Sequence, residues 1–390
     1  MKFSTSILVA TLLVTLASAV PAQTEAPARY IIKLNTGASQ AVLLSLIRNF
    51  SATNKVRITY KPDFFNGFAG DFTPEFLAKV RSTYGRELQY IEKDGLVHAL
   101  ATANDPNPKS WGLSRIGSRT LSTTGPYTYP ASAGKGINVY VVDTGVQFNH
   151  TDFEKRAELV KAIVSEANPD ENGHGTHCSG TIASKTYGVA KAANIKGVKV
   201  LNSAGSGTYA DVVLGIQFVA EEAKKNKSGR LNTVMSMSLG GPTSQAVNDA
   251  ANAAVDAGVV AIVAAGNNAG DACSLSPAGA SKVFAIGATD KTDTRASYSN
   301  FGKCVKVFAP GSDITSLWKG ANGATNTISG TSMAAPHVAG VAALYMADKV
   351  YTKVADVYAD IQKAASKKVV KNQGAGSPNN DLVYAQNIAN

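Results

Sequence analysis

From Trp111 onward the chain alternates continuous apolar runs with amphipathic stretches. The runs Ile137-Asn138-Val139-Tyr140-Val141-Val142, Asn194 to Val200, Thr233 to Leu239 and Val259 to Ala265 read as strands buried on both faces. Shorter strand-like runs follow at Val283–Ile286 and Val305–Phe308. Between them, Tyr209 to Lys224 places Val212, Ile216, Val219, Ala220 and Ala223 on one helical face, and Ser244 to Ala257 predicts a second helix. Gly175 to Ser184 is a run of small residues that predicts a tightly packed helix. A long apolar helix is predicted from Thr331 through Val338, Val341, Leu344 and Met346. Buried strands separated by helices predict an α/β fold: a doubly wound, mostly parallel sheet with helices on both faces. Ligands bind such sheets where the carboxyl ends of the strands open. Asp143 and the loops after Leu239 and Ala265 fall at such ends.

A different pattern precedes this unit. Tyr30–Leu34, Phe68–Phe72 and Gln89–Glu92 read as strands, and Ala41 to Phe50 has helical apolar spacing. Thr73-Pro74-Glu75-Phe76 predicts a helix start, with threonine as cap and proline at the first position. Together they predict a small α+β, ferredoxin-like β-α-β-β-α-β domain that offers no catalytic groups. The polar stretch Ala101 to Lys109, with Pro106 and Pro108, reads as a linker. The first nineteen residues carry Lys2, an apolar run from Ile7 to Leu16 and Ala17-Ser18-Ala19, the pattern of a cleaved secretory signal. That run is too short to span a bilayer, which takes ~20 apolar residues. The expected organisation is a signal over 1–19, the small domain over 20–100 and the α/β domain over 101–390, in a secreted protein with no membrane segment.

Composition narrows the picture further. Glycine is abundant at 35 residues and 44% of the chain is hydrophobic, as suits tight strand–helix turns around a large core. The net charge of +10 is scattered along the chain, so no nucleic-acid partner is expected. Three cysteines in a secreted chain leave one over. Cys273 and Cys304 flank two strand-like runs and are the expected disulfide, with Cys178 as the free thiol. Two N-x-[ST] sequons occur, at Asn149 and Asn226. Asn226, in the polar stretch Lys224 to Gly229, is the better expected glycan site.

Three glycine-set segments carry the chemistry: Asp143-Thr144-Gly145, His174-Gly175-Thr176-His177 and Gly330-Thr331-Ser332-Met333-Ala334. A serine hydroxyl is a weak nucleophile at neutral pH. It needs a neighbouring base, and the base needs an anion to hold its tautomer. Asp143, His174 and Ser332 supply these three groups. Ser332 is expected just before its helix, with Pro336 in the first turn, where the positive helix end suits a developing oxyanion. Ala334 stands where a G-x-S-x-G elbow would have its second glycine, which speaks against a lipase. A D-T-G also occurs in aspartic proteases, but those need a second copy and none is present. His174-x-x-His177 lacks the further ligand of a zinc site, so no metal is expected there. His177 and His337 read as structural histidines, His150 as a surface residue, and His98 lies outside this unit. Asn267, after Ala264-Ala265-Gly266, ends a strand. Its residues alone fit an oxyanion donor or an Asn-Asn turn equally.

These segments, with Ala265-Gly266-Asn267, Ser236-Met237-Ser238-Leu239-Gly240-Gly241 and Ser299-Asn300-Phe301-Gly302, resemble the subtilisin-like serine proteases, and the proteinase K branch in particular. The resemblance runs from Trp111 to the C-terminus, and residues 30–100 resemble the propeptide of these enzymes, which assists folding and blocks the cleft until cut. It implies Asp143, His174 and Ser332 as the triad and Asn267 as oxyanion donor. It implies that Gly205-Ser206-Gly207 and Ser238-Leu239-Gly240 sandwich the substrate backbone. Ala264 and Gly266 would line a neutral first pocket with a preference for apolar or aromatic residues, and Tyr209 would wall the fourth pocket. The implied partners are protein substrates and the chain's own propeptide as inhibitor, cut near Leu100, in a monomer.

Two departures from the branch change the expectations. A calcium ion there is held by a carboxylate in the strand before F-x-P-G. This chain has Lys306 at that place, in Cys304-Val305-Lys306-Val307-Phe308-Ala309-Pro310-Gly311, so that site is expected to be lost and no cofactor required. Calcium elsewhere stays open. The Cys273/Cys304 spacing resembles the bridge of some bacterial and vacuolar relatives. Cys178, four residues after His174, is expected on the same helical face as a small buried hydrophobe. The alternatives are an inactive binding protein of the same fold and a vacuolar processing protease of the same chemistry.

Overall fold

The computed structural model describes residues 27–41, 44, 54–99, 102–103, 110–377 and 380–386. The signal over 1–19, most of the helix expected at Ala41–Phe50 and the expected cut at Leu100 lie outside the described residues.

The N-terminal unit contains β1 (Ala28–Leu34), β2 (Lys55–Thr59), β3 (Gly67–Phe72), α1 (Pro74–Tyr84) and β4 (Leu88–Lys93). Its four strands form an antiparallel sheet in the order β2-β3-β1-β4, the order of the expected β-α-β-β-α-β arrangement. Thr73 caps α1 by accepting from the Phe76 N–H at 3.2 Å, and Pro74 is the first helical residue, as the sequence predicts. β2 was not anticipated, because its exposed–half-buried alternation contains few apolar residues. Two short strands follow, β5 (Leu96–Ala99) and β6 (Thr102–Ala103). The second corrects the linker reading, because part of that stretch pairs as a strand.

The larger unit begins with α2 (Gly112–Ile116) and β7 (Asn138–Asp143), then β8 (Ala157–Ala162), α3 (His174–Ala183), β9 (Asn194–Lys199) and β10 (Ser206–Thr208). α4 (Tyr209–Lys225), β11 (Thr233–Met237), β12 (Leu239–Pro242), α5 (Gln245–Asp256), β13 (Val260–Ala264) and β14 (Leu275–Ser276) come next. The chain closes with β15 (Phe284–Thr289), β16 (Val305–Pro310), β17 (Ile314–Leu317), β18 (Thr325–Ser329), α6 (Thr331–Asp348) and α7 (Val354–Ala364). Seven strands form a parallel sheet in the order β16-β15-β13-β11-β7-β9-β8. Successive side chains of β7 feed opposite layers. Val139 and Val141 pack with Cys178, Ile182 and the apolar face of α6, while Tyr140 and Val142 pack with Val212, Ile216 and Val247 of α4 and α5. Burial on both faces explains why these strands read as unbroken apolar runs. β8, at the sheet edge, has half-exposed residues and was not anticipated for that reason.

The run Thr233 to Leu239 is two strands. The parallel ladder stops at Met237, and after Ser238 the chain becomes β12, which belongs to another sheet of order β10-β5-β12-β14. β5 therefore lies between β10 and β12, antiparallel to both. β6 pairs with β18 on the far side of Gly330. No helix among the described residues is long and apolar enough to cross a membrane.

Candidate active site

Asp143, His174 and Ser332 are buried, each at the end of a different element. Asp143 ends β7, where its backbone carbonyl accepts from Val200 and Leu201 N–H, and its Oδ1 accepts the Thr144 N–H at 2.7 Å. The same Oδ1 lies 2.7 Å from Nδ1 of His174. A carboxylate there fixes the proton on Nδ1 and leaves Nε2 as the acceptor. Nε2 is buried without a hydrogen-bond partner. Burial alone would lower the pKa of His174, but the charge and hydrogen bond of Asp143, together with Cys178, outweigh it and hold the imidazole well above the ordinary histidine value.

Ser332 is in the first turn of α6, which starts at Thr331 as the apolar pattern predicts, so the serine lies inside the helix and not just before it. Its hydroxyl donates to the Ser238 carbonyl at 3.1 Å and makes no hydrogen bond to His174. Pro336, four residues on, has no N–H to give to the Ser332 carbonyl. That carbonyl instead accepts from the Ser238 hydroxyl at 2.8 Å and the Cys178 thiol at 3.4 Å. Cys178 also lies 4.0 Å from His174 Nδ1, so the buried thiol touches both the histidine and the serine residue. Burial pushes its pKa up and keeps it a neutral thiol.

Asn267 is oriented by a residue the sequence reading did not single out. Its Oδ1 accepts from both the Thr331 N–H at 2.9 Å and the Thr331 hydroxyl at 2.8 Å. The amide Nδ2 is thereby left as the outward donor next to Ser332. Thr331 Oγ1 also accepts the Gly266 N–H at 3.1 Å, which ties the Ala264–Gly266 segment to the same helix start. Gly266 has φ +104°, and a Cβ there would lie 2.5 Å from Asn300 Nδ2. Ala264 is buried beside it.

Asp170 was likewise missed. Its buried carboxylate accepts from the Thr144 hydroxyl at 2.9 Å, from the N–H groups of Asn172, Gly173 and Thr176, and from the Thr176 hydroxyl at 2.6 Å. It thus locks the Asp143 turn to the start of α3. The signal was local: an acid a few residues before a glycine-led helix start.

The two segments expected to hold substrate both border β5. Ser206 and Gly207 lie in β10, Gly205 turns the chain before it at φ +73°, and Leu239 and Gly240 lie in β12. Tyr209 joins the two segments: its hydroxyl donates to the Pro242 carbonyl at 3.0 Å, and its ring packs on Gly95, where a Cβ would lie 2.4 Å away.

The other sequence readings divide. His177 is structural, bonded through Nε2 to the Ile314 carbonyl at 3.0 Å; burial and the nearby His174 lower its pKa to about 3. His337 bonds the Met333 carbonyl, and burial lowers its pKa to about 4. His150 is buried, not on the surface: it caps the turn Thr151–Phe153 through Nδ1 and bonds the Ala324 carbonyl through Nε2 at 3.1 Å. Cys273 and Cys304 form the disulfide and Cys178 is free and buried. Asn149 is exposed, while Asn226 is half-buried with its amide donating to the Arg230 carbonyl at 2.6 Å; their accessibility reverses the expected order. Lys306 is half-buried on β16, in a cleft with Ser281, Val283 and Lys282. An ammonium offers only donors, and the one carboxylate lining the cleft, Asp256, is paired with Lys282, so this residue set does not fit a calcium ion. Among the described residues one cluster of three potential ligands converges, Asp143, His174 and Cys178, and it is the site already described.

Residues 134–380 match the family profile described as the subtilase family. The chain belongs to that family. A subtilisin-like protease of Coccidioides posadasii is 48% identical over 72% of this chain, and the match spans 58% of that relative's own length. Proteinase R of Parengyodontium album is 46% identical over 82% of this chain and 79% of its own. The crystal structure of a cold-adapted subtilisin-like serine proteinase superimposes with a TM-score of 0.66 at 43% identity, covering 71% of this subtilase and 98% of that chain.

Proposed function

We propose that this subtilase is the zymogen of a secreted serine endopeptidase. The observation that carries the reading is β5. Leu96–His98 pairs with β10 and His98–Ala99 with β12, so one segment of the chain lies antiparallel between two strands, as an extended peptide would. β6 pairs with β18 at Ile328 and Ser329, just ahead of Ser332. β5 ends at Ala99 beside β12 and β6 starts at Thr102 beside β18, which supports a maturation cut near Leu100. The N-terminal unit acts as the inhibitor, anchored on the catalytic unit. Glu92 accepts the Ala246 N–H at 2.8 Å and Asp94 the Ala210 N–H at 3.0 Å, both at helix starts.

In the reaction, the Ser332 hydroxyl turns from the Ser238 carbonyl to Nε2 of His174, which takes its proton as the oxygen attacks the peptide carbonyl. Asp143 stabilises the imidazolium. Asn267 Nδ2 and the Ser332 N–H bind the tetrahedral oxyanion. His174 then protonates the leaving amine, and water releases the acyl-enzyme by the same steps. The uncharged Ala264 and Gly266 accept apolar or aromatic residues before the cut. Such a reaction uses no metal.

The test is a fluorophosphonate probe on the secreted protein, followed by mass spectrometry. Ser332 is the expected labelled residue. Ser332→Ala is expected to lower kcat by on the order of 10⁶, the scale known for subtilisin, and to leave the propeptide uncut. A variant keeping a tenth of wild-type turnover rejects the reading.

A further inference from the structure

Lys199 stands opposite Asp143 in the parallel ladder of β7 and β9, and its side chain is 1% exposed. Its Nζ donates to the Thr144 carbonyl at 2.7 Å and the Leu201 carbonyl at 2.8 Å, and lies 2.7 Å from Glu166 Oε2. The ammonium thus donates to two backbone carbonyls and forms an ion pair with Glu166. The second oxygen of Glu166 accepts the Ser203 N–H at 2.8 Å. Burial pushes the Glu166 carboxyl up, but the bonds from Lys199 and Ser203 reverse this and hold its pKa below the ordinary value.

Ser203 lies in the turn that launches β10, closed by the Asn202 carbonyl accepting the Gly205 N–H. The Ser203 carbonyl accepts from Asn172 Nδ2 at 2.9 Å, and Asn172 Oδ1 accepts the His174 N–H at 3.2 Å. The turn that leads into the substrate strand is thus tied at one residue, Ser203, to both halves of the Asp143–His174 pair. Glu166 and Lys199 make one tie and Asn172 the other. An apolar side chain of similar length could fill the space around Lys199 without the cost of desolvating a charge.

We propose that Lys199 and Glu166 are positioning residues that hold β10 in register with the Asp143–His174 pair, and that they act on peptides long enough to reach β10. The proposal rests on the endopeptidase reading above. β10 pairs with Leu96, Val97 and His98, while Ala99 pairs with Leu239. Counting back from a cut after Leu100, the third to fifth residues pair with β10 and the second, Ala99, pairs with β12. Loss of the tie spares short substrates and penalises long ones. A merely structural role would affect both alike.

The experiment compares matured wild-type protein with Glu166→Ala and Glu166→Gln on two chromogenic substrates. One is a single-residue acyl-phenylalanine ester and the other a pentapeptide anilide with phenylalanine at the cut. Glu166→Ala is expected to lower kcat/KM on the pentapeptide about tenfold, within the ~10²-fold that a misplacement of about 1 Å removes. The ester should lose no more than about twofold, because remote binding energy is absent from it. Glu166→Gln keeps an acceptor for Ser203 and restores part of the loss, to about threefold below wild type. Equal loss on both substrates, or none on either, overturns the positioning role. A wild-type protein that hydrolyses neither overturns the endopeptidase reading instead. If Glu166→Ala is not recovered folded, Glu166→Gln carries the comparison, with an expected separation of about threefold between the two substrates.

Discussion

Gly175 packs so closely on Gly145 that a Cβ at position 175 would lie 2.1 Å from the Gly145 carbonyl oxygen and 3.2 Å from Asp143 Cβ. The helix carrying His174 rests directly on the turn that follows Asp143, and the 2.7 Å contact between the two side chains depends on that approach. Gly175→Ala is expected to cost about 1–3 kcal/mol of stability by overpacking. The forced separation of helix and turn should lower kcat by about 10². Urea unfolding and peptide hydrolysis on the same preparation check both. Unchanged turnover would show that the helix can shift without disturbing the pair.

The Asp143 charge sets the pH dependence of activity. His174 must be neutral to accept a proton, and its pKa is raised. Activity is therefore low where the imidazole is charged and rises as pH passes through that raised value. The inflection of kcat/KM against pH is expected above the ordinary ~6.5 of histidine. Asp143→Asn should move the inflection down and lower kcat by about 10⁴.

Stability should fall in acid as well, through two other histidines. His177 and His337 are buried and neutral, with pKa values lowered to about 3 and about 4. Below the ordinary value the unfolded chain takes up protons that the folded chain refuses. Stability falls as pH drops from ~6.5 towards those lowered values, by up to about 3 kcal/mol for His337 alone. Denaturant midpoints of Ser332→Ala protein at pH 7 and pH 4.5 measure the loss. His337→Gln should reduce it, although removing the Met333 bond lowers stability at pH 7 as well.

The Cys273–Cys304 bridge closes a loop with a sequence separation of 31. The chain-entropy relation puts its contribution at about 3–4 kcal/mol. The double replacement Cys273→Ala, Cys304→Ala should lower the thermal midpoint and leave hydrolysis at 25 °C intact, since neither cysteine contacts Ser332 or His174. A loss of activity at 25 °C without a change in melting would contradict this separation.

The legible part of the site is the part that chemistry writes into local sequence. An acid ending a buried strand, an imidazole opening a small-residue helix and a serine at a helix start each leave a signal within five residues, and all three lie where the segments predict. The central strands were legible for a related reason. Burial on both faces demands apolar side chains at every position, as in Val139-Tyr140-Val141-Val142.

The illegible part is made of pairings between distant residues. That Thr331 aims Asn267, that Ser238 satisfies a carbonyl freed by Pro336, and that His150 is buried under Ala324 all depend on contacts across sequence separations of 64, 94 and 174. Composition and periodicity report how one segment meets water. They carry no record of which donor meets which acceptor once the sheet has closed. The sequence by itself thus determined the sheet, the two units and the identity of the reacting groups. Only the tertiary structure decided that β5 lies between β10 and β12, because a strand's edge partner is chosen by backbone groups that every residue shares.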